Sequence, residues 1–400
     1  RHDIAFGGSL TVTRALLRHL ANETDKLRQA GLFKPEVAVD LATDSSQDAI
    51  VFTQSDFLGL SRRPEIARAA IAAIETHRPG LSSLRPFGGT LPIHHELERR
   101  IAAFVRCPDA LVYSNGYLAN VGLFDTLFDA RDYIIVDAAV HPSLAEGIRL
   151  CGARVAAYRS EDLEHLEDRL KRSRTARFRV VVTDGVYPLT GRTAALGDIC
   201  DLARRFDALI VVHDALGVGI LGADQRGTAE HCDVAGRVDL ITGGFTEVLG
   251  GTPGGFVAGR SEIVAWLRQK STPYLFAGAL GPGDVAAAIT AIDLIEQSLA
   301  PATEVLAQTD RFKAMLQTEG FEVSGGPHAI LTIEVGTVVT LQRMINALSE
   351  QNVYVQGMCY PVVPENAARI QLKLTPAHTE SVLKAAVERI AQAAHTLQSP

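Results

Sequence analysis

From residue 50 onward, short apolar runs alternate with amphipathic stretches of helical spacing. The runs predict strands at Ala110–Tyr113, Tyr133–Val136, Arg154–Tyr158, Arg179–Thr183, Leu209–His213, Leu240–Thr242 and Gly255–Ala258. Between them the 3.6-residue period predicts helices such as Leu97–Val105, Pro142–Leu150, Leu163–Leu170 and Ile199–Phe206. Strands that are apolar on both faces belong in a sheet covered by helices on each side. Strand and helix in alternation therefore predict an α/β domain with a mostly parallel sheet over residues 50–300, closed by a helix near Asp284–Ser298. Residues 301–400 give helix, strand, helix, strand, strand, helix, the pattern of a smaller α+β domain. Ahead of both, residues 1–49 predict a helical arm, with apolar spacing over Leu10–Leu27 and a stop near Gly31.

Composition narrows the class. The chain has 400 residues, 47% hydrophobic and 21% charged, too apolar for a disordered chain and long enough for more than one domain. No apolar run approaches the ~20 residues of a membrane span. Arg1-His2-Asp3-Ile4 does not open a signal peptide. A net charge of −7 offers no electrostatic footprint for nucleic acid. The five cysteines (Cys107, Cys151, Cys200, Cys232, Cys359) are scattered and without a C-x-x-C pair, which argues against a disulfide framework or a zinc site and for a cytoplasmic location.

The chemistry must then lie in the strand ends. Gly116, Gly217, Gly219, Gly222, Gly243, Gly244, Gly250, Gly251, Gly254 and Gly255 cluster there. Ligands of open α/β sheets bind beyond the carboxyl ends of the strands. No G-x-G-x-x-G opens a helix after the first strand, and there is no G-x-x-x-x-G-K-[ST] loop, so nucleotide binding is not supported. Polar residues gather at the same ends: His141, Asp184, His213, Asp214, Thr246 and Glu247. If the strands are neighbours these side chains line one cleft, where histidine and carboxylate together can move protons. Surface or capping roles are the alternative.

In this order the segments resemble the α-oxoamine synthases, fold-type-I pyridoxal-phosphate enzymes that condense an amino acid with an acyl-CoA. The resemblance covers about residues 50 to 395. Ser55-Asp56-Phe57-Leu58-Gly59-Leu60 resembles N-D-Y-L-G-L; Gly80, Arg85, Gly89, His94 and Leu97-Glu98 keep the spacing of G-x4-R-x3-G-x4-H-x2-L-E. Ser114 to Asn120 resembles S-G-[FY]-x-A-N, and Asp137 with His141-Pro142-Ser143 resembles D-x3-H-A-S, whose His stacks on the cofactor ring. Asp184-Gly185-Val186-Tyr187, Gly191, the segment Gly219 to Gly227, Tyr360 to Pro364 and His378-Thr379 follow in register. The resemblance implies the aspartate aminotransferase-like fold: a large domain with a seven-stranded, mostly parallel sheet, a small α+β domain, and a homodimer with its active site at the interface. It implies substrate-binding roles for Arg85, Asn115, Tyr117, Asp184, Thr246 and Arg369.

The departures fall on the chemistry. Val212-His213-Asp214-Ala215-Leu216 stands for V-D-[DE]-A-H, so His213 replaces the aspartate that keeps the pyridine nitrogen protonated. Glu247 stands at the Schiff-base lysine, and a carboxylate cannot form an imine. Ala277 and Gly278 replace the hydroxyls that bind the phosphate, and Gln371 replaces the arginine that binds the amino-acid carboxylate, with Arg369 two residues earlier. These losses imply no pyridoxal-phosphate cofactor. They imply instead an acyltransferase that takes an acyl-thioester, on CoA or an acyl carrier protein, and uses His213, Glu247 and His141 as acid–base groups. The alternative is an inactive subunit paired with a lysine-bearing paralogue, like the non-lysine subunit of serine palmitoyltransferase.

Overall fold

A computed structural model describes residues 11–30, 32–33, 49–298, 302–360 and 362–398. The opening tetrapeptide, Leu10, Gly31, Pro361 and the expected domain boundary at 300/301 lie outside these residues, as does much of the predicted arm. Within the arm, helix α1 runs Thr11–Gln29 and exposes Leu16, Leu17, Leu20 and Leu27.

The chain enters the large domain through a short strand β1 (Ile50–Val51) and helices α2 (Pro64–His77) and α3 (Pro92–Phe104). Helix α3 begins earlier than its apolar spacing predicts. Pro92 sits in the first turn, where its missing N–H costs nothing, and His94 Nδ1 accepts from the Leu91 N–H at 3.0 Å. Then follow β2 (Asp109–Tyr113), α4 (Gly116–Leu127), β3 (Tyr133–Asp137), α5 (Pro142–Cys151), β4 (Arg154–Tyr158), α6 (Leu163–Arg172), β5 (Arg179–Asp184), α7 (Leu196–Arg205) and β6 (Leu209–His213). A short α8 (Thr228–His231), β7 (Leu240–Gly244), β8 (Gly255–Gly259), α9 (Ser261–Lys270), α10 (Thr272–Phe276) and α11 (Pro282–Glu296) complete the domain. The strands lie in the order β2-β8-β7-β6-β5-β3-β4, with β8 antiparallel to both neighbours and every other pairing parallel. Val180, Val181, Val182, Ile134 and Ile135 are fully buried, as a sheet covered on both faces requires.

The small domain holds α12 (Ala302–Thr318), β9 (Val323–Gly325), β10 (Ile330–Gly336), α13 (Val338–Glu350), β11 (Val353–Tyr354), β12 (Gln356–Met358), β13 (Ala368–Lys373) and α14 (Glu380–Gln398). Its antiparallel sheet has the order β12-β13-β10-β9, while β11 pairs instead with β1. Two of these strands exceed the predicted pattern, because two or three residues carry no readable alternation.

Arg85, expected at the substrate, lies elsewhere. Its Nη2 donates to Glu98 Oε1 at 2.8 Å, both side chains are 4% exposed, and its guanidinium covers the Tyr274 ring. Glu98 also accepts from Arg268 Nη1 at 3.1 Å and the Val112 N–H at 3.3 Å. This hub ties α3, β2, α9 and α10 together. Removing one partner strands a buried charge, so Arg85→Ala is expected to lower unfolding free energy by about 3–5 kcal/mol in urea titration.

Candidate active site

Three adjacent parallel strands reach the same level, where β5 and β6 end and β7 runs on to Gly244. Asp184 on β5, His213 on β6 and Thr242 on β7 are Cα partners across the sheet. Beyond them opens a cavity of about 370 Å³, walled on its far side by β10, β12 and β13 of the small domain. His141, Asp184, His213, Thr246 and Glu247 line it, together with Asn115, Gly116 and Tyr117. Asp214, the sixth predicted cleft residue, faces away. Its carboxylate accepts from the Thr228 N–H at 2.7 Å and from Thr228 Oγ1 at 2.5 Å, and burial pushes its pKa up to about 6.

His141 caps α5, because Pro142 starts that helix and His141 Nδ1 accepts from the Ser143 N–H at 3.3 Å. Its own N–H donates to Asp184 Oδ2 at 2.7 Å. Asn120 Nδ2 donates to Ser143 Oγ at 2.8 Å, and the Ser143 hydroxyl in turn donates to His141 Nδ1, 2.7 Å away. His141 thus carries its own proton on Nε2, and burial of part of the ring lowers its pKa. The ring of His213 lies 5.5 Å from that of His141, tilted by 37°. His213 Nδ1 is 2.8 Å from Thr242 Oγ1 and 3.4 Å from Asn120 Nδ2. With that amide donating, Nδ1 accepts and Nε2 bears the proton. Burial, then the neighbouring His141, drives the His213 pKa down to about 3, so it is a neutral donor at ordinary pH.

The helix α4 directs its positive end at the cavity. Asn115 Oδ1 caps it through the Leu118 N–H at 2.8 Å. The approach requires Gly255, where a Cβ would lie 2.4 Å from Gly116 N. Two buried oxygens, Asp184 Oδ1 and Asn120 Oδ1, have no partner among the described residues. Asp184 is buried enough that its pKa rises well above the usual carboxylate range. Burial also raises Glu247, against the pull of Lys373.

Lys373 is the residue that motif reading missed. It ends β13 with its Nζ 3.1 Å from Ser55 Oγ and borders the same cavity, beside Gln371. The alternation Arg369-Ile370-Gln371-Leu372-Lys373, polar on one face and apolar on the other, carries the signal for it. Gln371 Nε2 donates to Pro188 O at 2.7 Å. Arg369 shares the strand face but lies outside the cavity lining, 3.4 Å from Glu334. Among the described residues no group of side chains forms a metal site, no helix is long and apolar enough to cross a membrane, and the five cysteines are free.

A glycine-lined cavity beyond the carboxyl ends of a mostly parallel sheet, closed by a small α+β domain, defines a fold-type-I pyridoxal-phosphate transferase. The family profile for aminotransferase classes I and II matches residues 47–390, and the chain belongs to that family, in its α-oxoamine synthase branch. It is 40% identical over 379 residues to the 2-amino-3-ketobutyrate coenzyme A ligase of Escherichia coli K12, covering 93% of this chain and 95% of that one. It is 33% identical over 378 residues to the 8-amino-7-oxononanoate synthase of Thermoanaerobacter pseudethanolicus, covering 93% and 95%. A serine palmitoyltransferase of S. paucimobilis superposes with a TM-score of 0.88 at 25% identity, covering 96% of this chain and 99% of that one.

The last comparison overturns the expectation of a chain without cofactor. That serine palmitoyltransferase has a lysine replaced by alanine and still holds pyridoxal phosphate, as an aldimine with myriocin. A missing lysine therefore does not by itself empty such a site, and the family points to pyridoxal phosphate. The residues present fit that group: the positive end of α4 suits a phosphate, His213 offers an N–H to an unprotonated pyridine nitrogen, and Asp184 Oδ1 is a buried oxygen awaiting a partner.

The depressed His213 pKa has a measurable cost. Below about pH 6.5 the unfolded chain binds a proton that folded His213 refuses, so stability falls as pH falls toward the folded value of about 3. His213→Gln removes that component. Between pH 6.5 and about pH 5 the wild type is expected to lose roughly 2 kcal/mol more than the variant, read from denaturant titrations at each pH.

Proposed function

We propose that this chain is an α-oxoamine-synthase-type acyltransferase that takes an acyl-thioester and binds pyridoxal phosphate in the cavity between its two sheets. The observation that carries this reading is the convergence of His141, Asp184, His213, Glu247 and Lys373 on one cavity. When bound, pyridoxal phosphate supplies an aldehyde and an electron-withdrawing ring.

The chain's own groups do the rest. Asn115, Gly116 and Tyr117 present the α4 terminus to the phosphate. His141, fixed by Ser143 and by the backbone bond to Asp184, lays its ring along the cavity wall. His213 donates from Nε2 rather than holding a second positive charge, which leaves the ring a weaker electron sink than an aspartate partner would. Glu247, with its pKa raised by burial, takes a proton from the reacting carbon side and returns it, the role of a base tuned toward neutral pH. Thr246, at the cavity edge, is available to the substrate's polar groups. A second copy of this chain is part of the proposal: exposed Phe87 and Phe276 flank the bridge between Leu84 and Gly278 and offer apolar area for it.

The test is thiol release from acyl-CoAs by purified protein with pyridoxal phosphate and a panel of amino acids. Turnover is expected, and Glu247→Gln is expected to lower kcat about 100-fold with KM little changed. Absence of thiol release from every acyl-CoA overturns the reading.

A further inference from the structure

We propose that Lys373, on β13 of the small domain, is the imine-forming lysine of this chain, with Glu247 on the opposite wall as its base. The inference rests on the reading above that the cavity takes pyridoxal phosphate.

Lys373 is the one lysine or arginine among the residues that line the cavity. Strand alternation turns Gln371 and Lys373 into the cavity and Leu372 into the core, where it is fully buried. Gln371 is committed to Pro188 O, and an amide nitrogen is no nucleophile. Lys373 Nζ keeps a single neutral anchor, Ser55 Oγ at 3.1 Å, and three donors in all, so it can turn toward a ligand. Glu247 and Lys373 border one cavity, and each feels the other's charge. The loop after β7 bears the carboxylate where the resemblance expects an amine, and the amine borders the same cavity from β13. Exchanging the walls preserves both functions that imine formation needs, a nucleophile and a proton acceptor.

Protonation supports this placement. Burial lowers the Lys373 pKa and raises that of Glu247, while each charge opposes the other's shift. Both groups are pulled toward their neutral forms, and only the neutral amine attacks a carbonyl. The step balances without a redox partner. The Nζ lone pair adds to the aldehyde carbon of pyridoxal phosphate and a C–N bond forms. Glu247 relays the amine's protons to the former carbonyl oxygen, the C–O bond breaks, and water leaves as the C=N bond is made.

The experiment uses the full chain. Protein is equilibrated with stoichiometric pyridoxal phosphate, reduced with borohydride, digested and mapped by mass spectrometry, while absorbance follows the imine band. The expected result is a pyridoxyl adduct on Lys373 in preference to Lys26, Lys34, Lys171, Lys270, Lys313 and Lys384, and an absorbance band that borohydride removes. Lys373→Arg is expected to lose the adduct and the band while still quenching cofactor fluorescence on binding. The adduct map of the wild type decides the matter even if that variant folds poorly. An adduct spread over the other lysines, or a band that persists in Lys373→Arg, overturns the assignment. Cofactor bound without any reducible band overturns it while leaving the proposed function standing. No cofactor binding at all removes both.

Discussion

The register of three strands is the constraint on which the site depends. Because β5, β6 and β7 run parallel and in register, Asp184, His213 and Thr242 come into line without any loop having to reach. Parallel pairing puts every carboxyl end on one side of the sheet. Strands β2 and β3 run in the same direction, so the helices that follow them, α4 and α5, start at the same edge and present their first turns to the space that Asp184 and His213 border. A slip of one residue in β6 would carry His213 to the other face and bring Asp214 to the cavity. The side chains show how firmly that register is set, since Asp214 is locked outward by two hydrogen bonds to Thr228.

The cavity is built from groups whose burial opposes their charged forms. Desolvation lowers His141, His213 and Lys373 and raises Asp184 and Glu247. A site of this kind holds donors and acceptors in place but leaves protons cheap to move. The hub around Glu98 is a different arrangement. There two arginines share one buried carboxylate, the charges are satisfied by each other, and the result is attachment between elements rather than chemistry.

Much of the fold was legible because the central strands are apolar on both faces and the helices between them keep their period. Each predicted strand of the large sheet is present, extended by a residue or two at some ends. The strand-end reading also found His141, Asp184, His213, Thr246 and Glu247, since carboxyl ends of parallel strands collect at one place. It failed for residues whose position depends on the second domain. Nothing local says that Lys373 faces Glu247, because the two are 126 positions apart and meet only when the small sheet is laid over the large one. Arg85 was misplaced for the opposite reason. Its spacing follows the family segment, but its charge is spent on Glu98, a partner that the same segment contains. The inference from lost lysine to lost cofactor failed because holding the cofactor does not depend on that lysine: the serine palmitoyltransferase with its lysine replaced by alanine still carries pyridoxal phosphate.

That the cavity is shared between two sheets has one more consequence. Glu247 is carried by the large domain and Lys373 by the small one, so the burial of each depends on the other domain lying over it. Water between the two sheets would screen the pair and return each group toward its ordinary protonation. The shifted protonation of this pair is thus a property of the seam between the two domains, and neither domain alone would produce it.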